Sequence, residues 1–161
     1  MNSYHSDDKT CCICLDELHF DTSLTCGHKF CFLCIKYITN GLCPLCRKDI
    51  DIELNKLTLK DVSYDDKEVF PCVKWMYNSR DKKNWWFYES KSNKIIEDCF
   101  SQKKPCQLSF GTTQYNIDFN NMMQIGSNNS QRAIKRIVIN NISEWTNLMK
   151  DLRGIAGLYF S

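Results

Sequence analysis

Several classes of protein are excluded by what this sequence has little of. Three Pro and six Gly in 161 residues rule out collagen-like and Pro/Gly-rich low-complexity chains. No apolar run approaches the roughly 18–20 residues that cross a bilayer, so no membrane partner is expected. Residues 1–10 are polar, with two Asp, and lack the apolar stretch of a secretory leader. The expected location is cytoplasmic or nuclear, where thiols stay reduced. Charge of one sign is lacking too: 21 Lys+Arg stand against 19 Asp+Glu, so bulk attraction for a polyanion, and with it direct nucleic-acid binding, is not expected. With 43% hydrophobic and 12% aromatic residues the chain is globular rather than disordered. What it has in plenty is cysteine. Eleven thiols in a reducing compartment point to metal rather than to disulfides.

Seven of these cysteines and one histidine form four pairs: Cys11 and Cys14, Cys26 and His28, Cys31 and Cys34, Cys43 and Cys46. A C-x-x-C pair presents two thiolates to one metal across a tight turn. Zinc takes four such ligands in a tetrahedron, so eight ligands imply two closed, structural Zn2+ sites. Closed sites leave no position for water, which argues against catalysis by the metal. Below about 40 residues an apolar core alone holds no fold, and the zinc ions would supply that energy. Seven thiolates and two Zn2+ bring the formal charge from +2 to about −1. The order of ligands, three Cys, one His, then four Cys, resembles the RING finger. The resemblance implies interleaved pairing: Cys11, Cys14, Cys31 and Cys34 on one zinc, Cys26, His28, Cys43 and Cys46 on the other. It also implies a shallow groove for a ubiquitin-conjugating enzyme, made by Ile13, Ile38, Pro44 and Leu45. Ile38 would come from a short helix over Phe32–Thr39, stopped by Asn40–Gly41. Arg47, just after the last ligand, matches the arginine with which ligase RINGs bridge that enzyme and its ubiquitin, a linchpin that catalyses by orientation. The alternative is that Ile13 and Pro44 are loop packing and Arg47 is solvated. Cys12, Cys72, Cys99 and Cys106 are left over. They read as buried small hydrophobes or, less simply, as a nucleophile.

Composition changes after a charged stretch from Lys48 to Lys67. Trp75, Trp85 and Trp86 fall close together. Val73, Trp75 and Tyr77 alternate, as do Trp86 and Tyr88, in the manner of strands, with Asn78–Asn84 as a polar loop. Ile95–Gln102 has helical spacing, with Ile95, Ile96, Cys99 and Phe100 on one side. Leu108–Phe110 and Tyr115–Phe119 flank Gly111–Gln114, a hairpin signal. Met122–Ile125 and Arg132–Ile139 read as further strands. The expected fold is α+β in two small domains, the second a curved antiparallel sheet with one helix.

Trp75, Trp86 and Tyr88, Glu97 in Ile-Ile-Glu-Asp, Tyr115-Asn-Ile-Asp-Phe, Met123-Gln124 and Arg132-x-Ile-Lys-Arg resemble the WWE domain, a half-barrel. The naming residues would be Trp75, Trp86 and Glu97. RING followed by WWE resembles a family of ubiquitin ligases directed by poly-ADP-ribose, and Arg153-Gly-Ile-Ala-Gly-Leu resembles that family's segment returning to the joint between the domains. The implied layout is a RING finger at 8–49, a linker at 50–67, a WWE domain at 68–139 and a returning segment at 140–161.

The family's WWE domain binds iso-ADP-ribose, the internal unit of poly-ADP-ribose. The implied pocket comprises Tyr77, Arg80, Trp86, Tyr115, Gln124, Arg132 and Arg153. Gln124 would read adenine, the tyrosines would donate hydroxyls, and the arginines would clamp phosphates. The loop Asp81–Lys83 is longer than in the family, and Asn140–Lys150 is an insertion before Arg153. The implied function is a poly-ADP-ribose-dependent RING-type ubiquitin ligase, with a ubiquitin-charged conjugating enzyme and poly-ADP-ribosylated proteins as partners and allosteric activation by the ligand. The alternatives are a non-catalytic poly-ADP-ribose-binding adaptor and a RING ligase whose WWE half binds protein.

Overall fold

A computed structural model describes residues 9–37, 40–61, 68–110 and 113–160. Two compact units divide the chain between residues 65 and 66.

The first unit has little regular structure: a hairpin of β1 (Asp21–Ser23) and β2 (Lys29–Cys31), helix α1 (Phe32–Lys36) and a single 3-10 turn at Leu54–Lys56. Its core is correspondingly small. Cys11, Leu24, Phe30, Cys31, Ile35 and Cys43 are buried together, and Ile50, Ile52 and Leu54 pack against them. The boundary expected at residue 49 is therefore too early, because the apolar residues of 50–54 are needed to close this core. The helix expected to reach Thr39 ends at Lys36 among the described residues, and Ile38 lies outside them.

The second unit is one sheet of eight strands in the order β10-β9-β4-β3-β8-β7-β6-β5. The strands are β3 (Cys72–Asn78), β4 (Trp85–Phe87), β5 (Cys106–Phe110), β6 (Thr113–Asp118), β7 (Met123–Gly126), β8 (Gln131–Ile139), β9 (Leu152–Ile155) and β10 (Leu158–Tyr159). Neighbours are antiparallel except β4 and β9, which run parallel. The sheet curls into a half-barrel around α2 (Ser90–Ser101). The expected hairpin is present as β5 and β6, although Gly111 lies outside the described residues. Residues 140–160, expected as a returning segment, extend this sheet: α3 (Ile142–Leu148) leads into β9, which pairs with β4. This second helix was not expected from the sequence. Trp145 on α3 stacks on Phe87 at 5.4 Å and covers the convex side of the sheet. Gly154 permits the tight β9–β10 hairpin, since a Cβ there would lie 1.8 Å from the Leu158 carbonyl oxygen.

Period-two alternation decides what the concave face carries. Trp75 and Tyr77 on β3 share a face, and Tyr77 pairs with Trp86 and with Ile134. Trp75 pairs with Arg136, Gln124 with Arg132, Ile117 with Gln124, and Leu108 with Tyr115. All these residues therefore line one side of the sheet. One end is filled by a core of Trp75, Tyr88, Ile96, Cys106, Leu108, Ile117 and Ile134.

Helix α2 is tied to that side by polar contacts as well as by Ile96. Glu89 caps it by accepting from the Ser92 amide at 2.9 Å, which explains why the helix starts before the periodic segment at Ile95. Asn93 accepts from the Trp75 amide at 2.7 Å and donates to the Val73 carbonyl at 3.0 Å. The Glu97 carboxylate accepts from Trp75 Nε1 at 2.8 Å and holds the Arg136 guanidinium in a fork at 2.9 and 2.7 Å. Arg136 keeps the Glu97 carboxyl below its ordinary value of 4.5, with the Trp75 N–H adding to the effect.

Replacing Glu97 by Gln leaves Arg136 without its counter-charge and is expected to cost about 1–3 kcal/mol. A carboxyl depressed in the folded state contributes stability above its unfolded pKa and loses that contribution as pH falls through the folded value. The melting temperatures of wild type and Glu97→Gln should thus differ at pH 7 and converge as the pH is lowered below about 4.5. All four Trp lie in the second unit, so tryptophan fluorescence follows this transition alone.

Candidate functional site

The eight expected metal ligands form two clusters, Cys11, Cys14, Cys31 and Cys34 in one and Cys26, His28, Cys43 and Cys46 in the other. Within each cluster every ligand atom lies within 4.8 Å of the others. With Zn–S near 2.3 Å, the edges of a zinc tetrahedron are about 3.8 Å between sulfurs and about 3.6 Å between sulfur and nitrogen. Cys14 and Cys31 sulfurs are 3.9 Å apart, and His28 Nδ1 lies 3.4 Å from Cys26 Sγ and 3.5 Å from Cys43 Sγ. The donor set and its spacing fit two structural zinc ions, with Nδ1 as the histidine ligand.

Local backbone geometry builds the two sites from repeated parts. Cys11–Cys14 and Cys43–Cys46 are matching knuckles. The first Cys amide bonds to a carbonyl five residues on (Asp16, Lys48), and its carbonyl accepts from the amide four residues on (Leu15, Arg47). Leu15 and Arg47 take left-handed φ of 60° and 61° at equivalent points. Cys26 and His28 sit at the tip of the β1–β2 hairpin around Gly27, while Cys31 and Cys34 sit at its base and on α1. One hairpin thus supplies a ligand pair to each zinc. The Cys31 thiol is lowered to about 5, chiefly by the Cys34 thiol beside it and also by the His19 amide, which donates at 3.2 Å. That environment favours the thiolate that zinc requires.

Of the remaining first-unit residues singled out above, Ile13 and Leu45 are exposed at 36% and 52%, Pro44 is half-buried between them in sequence, and Arg47 is exposed. Leu15, 80% exposed, adds an apolar side chain that sequence reading did not single out. Its left-handed φ, which turns it outward, has no signature in residue type.

In the second unit the structure brings together most of the expected binding residues. Tyr77, Trp86, Tyr115, Gln124 and Arg132 share the concave face by register. The Arg132 guanidinium lies over the Tyr77 ring at 5.4 Å and donates to the Asn78 carbonyl at 3.3 Å. Tyr115 packs against Phe110. Trp86 is buried, edge-on to Tyr159 at 5.0 Å, and so serves as wall. Arg80 is exposed in the turn 79–84, which Ser79, Asp81 and Asn84 close with hydrogen bonds. Arg153, half-buried on β9, reaches the same turn and donates to Asp81 at 2.5 Å. With the Asn84 amide rotated, its oxygen accepts from Arg153 Nε at 3.0 Å. Hydrogen bonds from Ser79 and Lys83, and then from Arg153, pull the Asp81 carboxyl down to about 2. Of the three arginines expected to bind phosphate, Arg80 and Arg153 therefore meet at this turn, and Arg132 reaches Asn78 just before it. Arg136, on the same strand face as Arg132, is committed to Glu97. Lys135 points to the other side and is exposed.

The leftover thiols are unremarkable in chemistry. Only Cys106 is buried as expected, while Cys72 and Cys99 are half-buried and Cys12 is exposed. Burial pushes Cys106 up to about 12, with Cys99 beside it, and raises Cys72, the opposite of what an activated nucleophile needs.

Zinc removal offers a direct check. Metal analysis should find two zinc ions per chain, falling to one in Cys11→Ser and staying at two in Cys12→Ser. A strong chelator should unfold the first unit and leave the cooperative tryptophan-fluorescence transition of the second in place.

Comparison with known proteins agrees with this geometry. Residues 7–52 match the family described as zinc finger, C3HC4 type (RING finger), and residues 73–136 match the WWE domain. Similar proteins include E3 ubiquitin-protein ligase RNF146-B of Bos taurus, 34% identical over 141 residues, covering 80% of this chain and 39% of that one. Homo sapiens RNF146 is 34% identical over 141 residues (80% and 38% covered), and Salmo salar rnf146 is 30% identical over 138 residues (80% and 39% covered). This chain spans about two fifths of the length of these relatives. By its two zinc clusters, its half-barrel and these matches, the chain belongs to the RING–WWE proteins.

Proposed function

We propose that this protein is a RING-type ubiquitin ligase recruited by poly-ADP-ribose on modified proteins. The observation that carries the reading is the gathering of Tyr77, Tyr115, Gln124 and Arg132 on one concave face, in a chain whose other unit has the two ligand clusters of a RING. Iso-ADP-ribose presents an adenine edge, ribose hydroxyls and two phosphates. In this reading Gln124 meets the adenine, the tyrosine hydroxyls meet sugar or phosphate, Trp86 is the wall, and Arg132, Arg80 and Arg153 hold the phosphates. Arg153 would exchange its bond to Asp81 for one to the ligand.

On the RING side, the closed zinc sites stiffen a scaffold and take no part in the chemistry. Ile13, Pro44 and Leu45 would dock the conjugating enzyme, together with Ile38. Arg47 would donate to that enzyme and to ubiquitin at once, limiting the motion of the thioester. The substrate lysine amine then attacks the thioester carbonyl. An isopeptide bond forms, the thioester bond breaks, and the enzyme's cysteine leaves as thiolate and regains a proton. The names of the similar proteins support ligase activity. Mutual coupling between ligand and conjugating enzyme, typically about 1–3 kcal/mol, would add allosteric activation, and equal conjugating-enzyme affinities with and without ligand would dismiss it.

Calorimetric titration with iso-ADP-ribose, with mono-ADP-ribose as control, tests the recruiting half. Saturable and selective binding is expected, weakened about tenfold or more in Arg132→Ala through loss of charge-assisted hydrogen bonds. Absence of binding by the folded, zinc-loaded protein would sink the reading. For the RING half, Arg47→Ala should slow ubiquitin discharge from a charged conjugating enzyme about tenfold or more with zinc content unchanged. An unaffected rate would remove Arg47 from the catalysis, and a wild-type chain that does not accelerate discharge would be a non-catalytic adaptor.

A further inference from the structure

Tyr88 lies beneath the concave face, 3% exposed, with its ring 4.8 Å from that of Tyr77. Burial pushes its phenol well above the usual value, so it is a protonated O–H that needs an acceptor. That acceptor is Gln124 Oε1, 2.6 Å away. A glutamine amide has two unlike ends, an oxygen that accepts and a nitrogen that donates. With the oxygen turned toward Tyr88, the nitrogen is turned away from it. Gln124 is only 6% exposed, and its Nε2 has no hydrogen-bond partner among the described residues. Nor is that atom sealed off: among the described residues, the one sealed side-chain polar atom without a partner is Asp21 Oδ1. The Gln124 N–H edge therefore opens to solvent. A donor held in place, facing solvent in a concavity and bonded to no protein group, marks a place for an acceptor.

The surroundings ask for the same chemistry. Arg132 is Gln124's direct partner across β7 and β8 and presents further N–H donors. Tyr77, Tyr88, Tyr115, Gln124 and Arg132 contribute no carboxylate to this face. A ligand seated there meets donors at both positions, which suits a base offering a bare ring nitrogen followed by a phosphate.

We propose that Tyr88 is a positioning residue that locks the Gln124 amide with its N–H edge outward, so that the site reads a hydrogen-bond acceptor on the ligand's base, a ring nitrogen rather than an exocyclic amine. This rests on the iso-ADP-ribose reading above and adds the polarity of recognition to it. Tyr88→Phe keeps the ring and frees the amide to turn over. Gln124→Glu keeps the shape and replaces the donor edge with an acceptor.

Iso-ADP-ribose affinity, measured by calorimetry on the zinc-loaded full chain, should fall about tenfold in Tyr88→Phe and at least as far in Gln124→Glu. In a Gln124→Ala background the Tyr88→Phe change should alter affinity by less than about twofold, because the residue it acts through is gone. Unaltered affinity in Gln124→Glu, or an equal loss from Tyr88→Phe in both backgrounds, would overturn the proposal. The second outcome would make Tyr88 a packing residue only. Side-chain amide NMR of Gln124 in the free protein separates this from failure of the function itself. If wild type binds no ligand, the iso-ADP-ribose reading falls. An amide resonance that shifts in Tyr88→Phe would still support the orienting role, and one that does not move would overturn it.

Discussion

The Glu97 carboxylate is the contact on which the second unit's site depends. It reaches from α2 to the indole N–H of Trp75 on β3 and to the guanidinium of Arg136 on β8, and so joins the helix to the two central strands of the sheet. Such a carboxylate is favourable only because both of its oxygens are satisfied. Its second consequence is a division of labour on β8. Arg132 and Arg136 share a face four residues apart, and the carboxylate consumes one of them. The other is left over the Tyr77 ring and beside Gln124, with no carboxylate as partner among the described residues.

The first unit solves the stability problem by other means. Its apolar core is a handful of side chains, three of which, Cys11, Cys31 and Cys43, are metal-ligating cysteines. Order comes from coordination bonds tied into two knuckles and one hairpin, each hairpin end serving a different ion. That interleaving ties both ions to one hairpin, Cys26 and His28 at its tip serving one and Cys31 at its base the other. The left-handed residues that close the knuckles, Leu15 and Arg47, point outward as a by-product of metal geometry. The exposed side chains around the last knuckle are therefore held by the zinc without touching it.

The concave face combines three kinds of group: a wall of aromatic rings, donors held by buried partners, and arginines collected at the 79–84 turn. Asp81 matters to the last of these. It pairs with Arg153 at 2.5 Å and offsets part of the like charge that Arg80 and Arg153 bring to this turn.

The sequence by itself marked the zinc ligands and their number, because C-x-x-C and C-x-H pairs each place two ligand atoms within reach of one tetrahedral ion. It also determined which residues of one strand share a face, since side chains alternate with period two wherever a strand forms, as for Trp75 with Tyr77 and Trp86 with Tyr88. That Tyr77, Trp86, Gln124 and Arg132 belong to one pocket was what the resemblance to the WWE domain implied. Helix α3 was missed because it carries no long apolar stripe and is held through the contacts of a single residue, Trp145, with Phe87, Phe70 and Lys74. Only the tertiary structure decided which of the two arginines on β8 is spent on Glu97, that β9 returns alongside β4 to bring Arg153 to the turn at Asp81, and that Tyr88 holds the Gln124 oxygen. Each of these is a pairing of polar groups across dozens of residues, and hydrogen-bond partners are chosen by proximity and orientation after folding, about which local residue order carries no information.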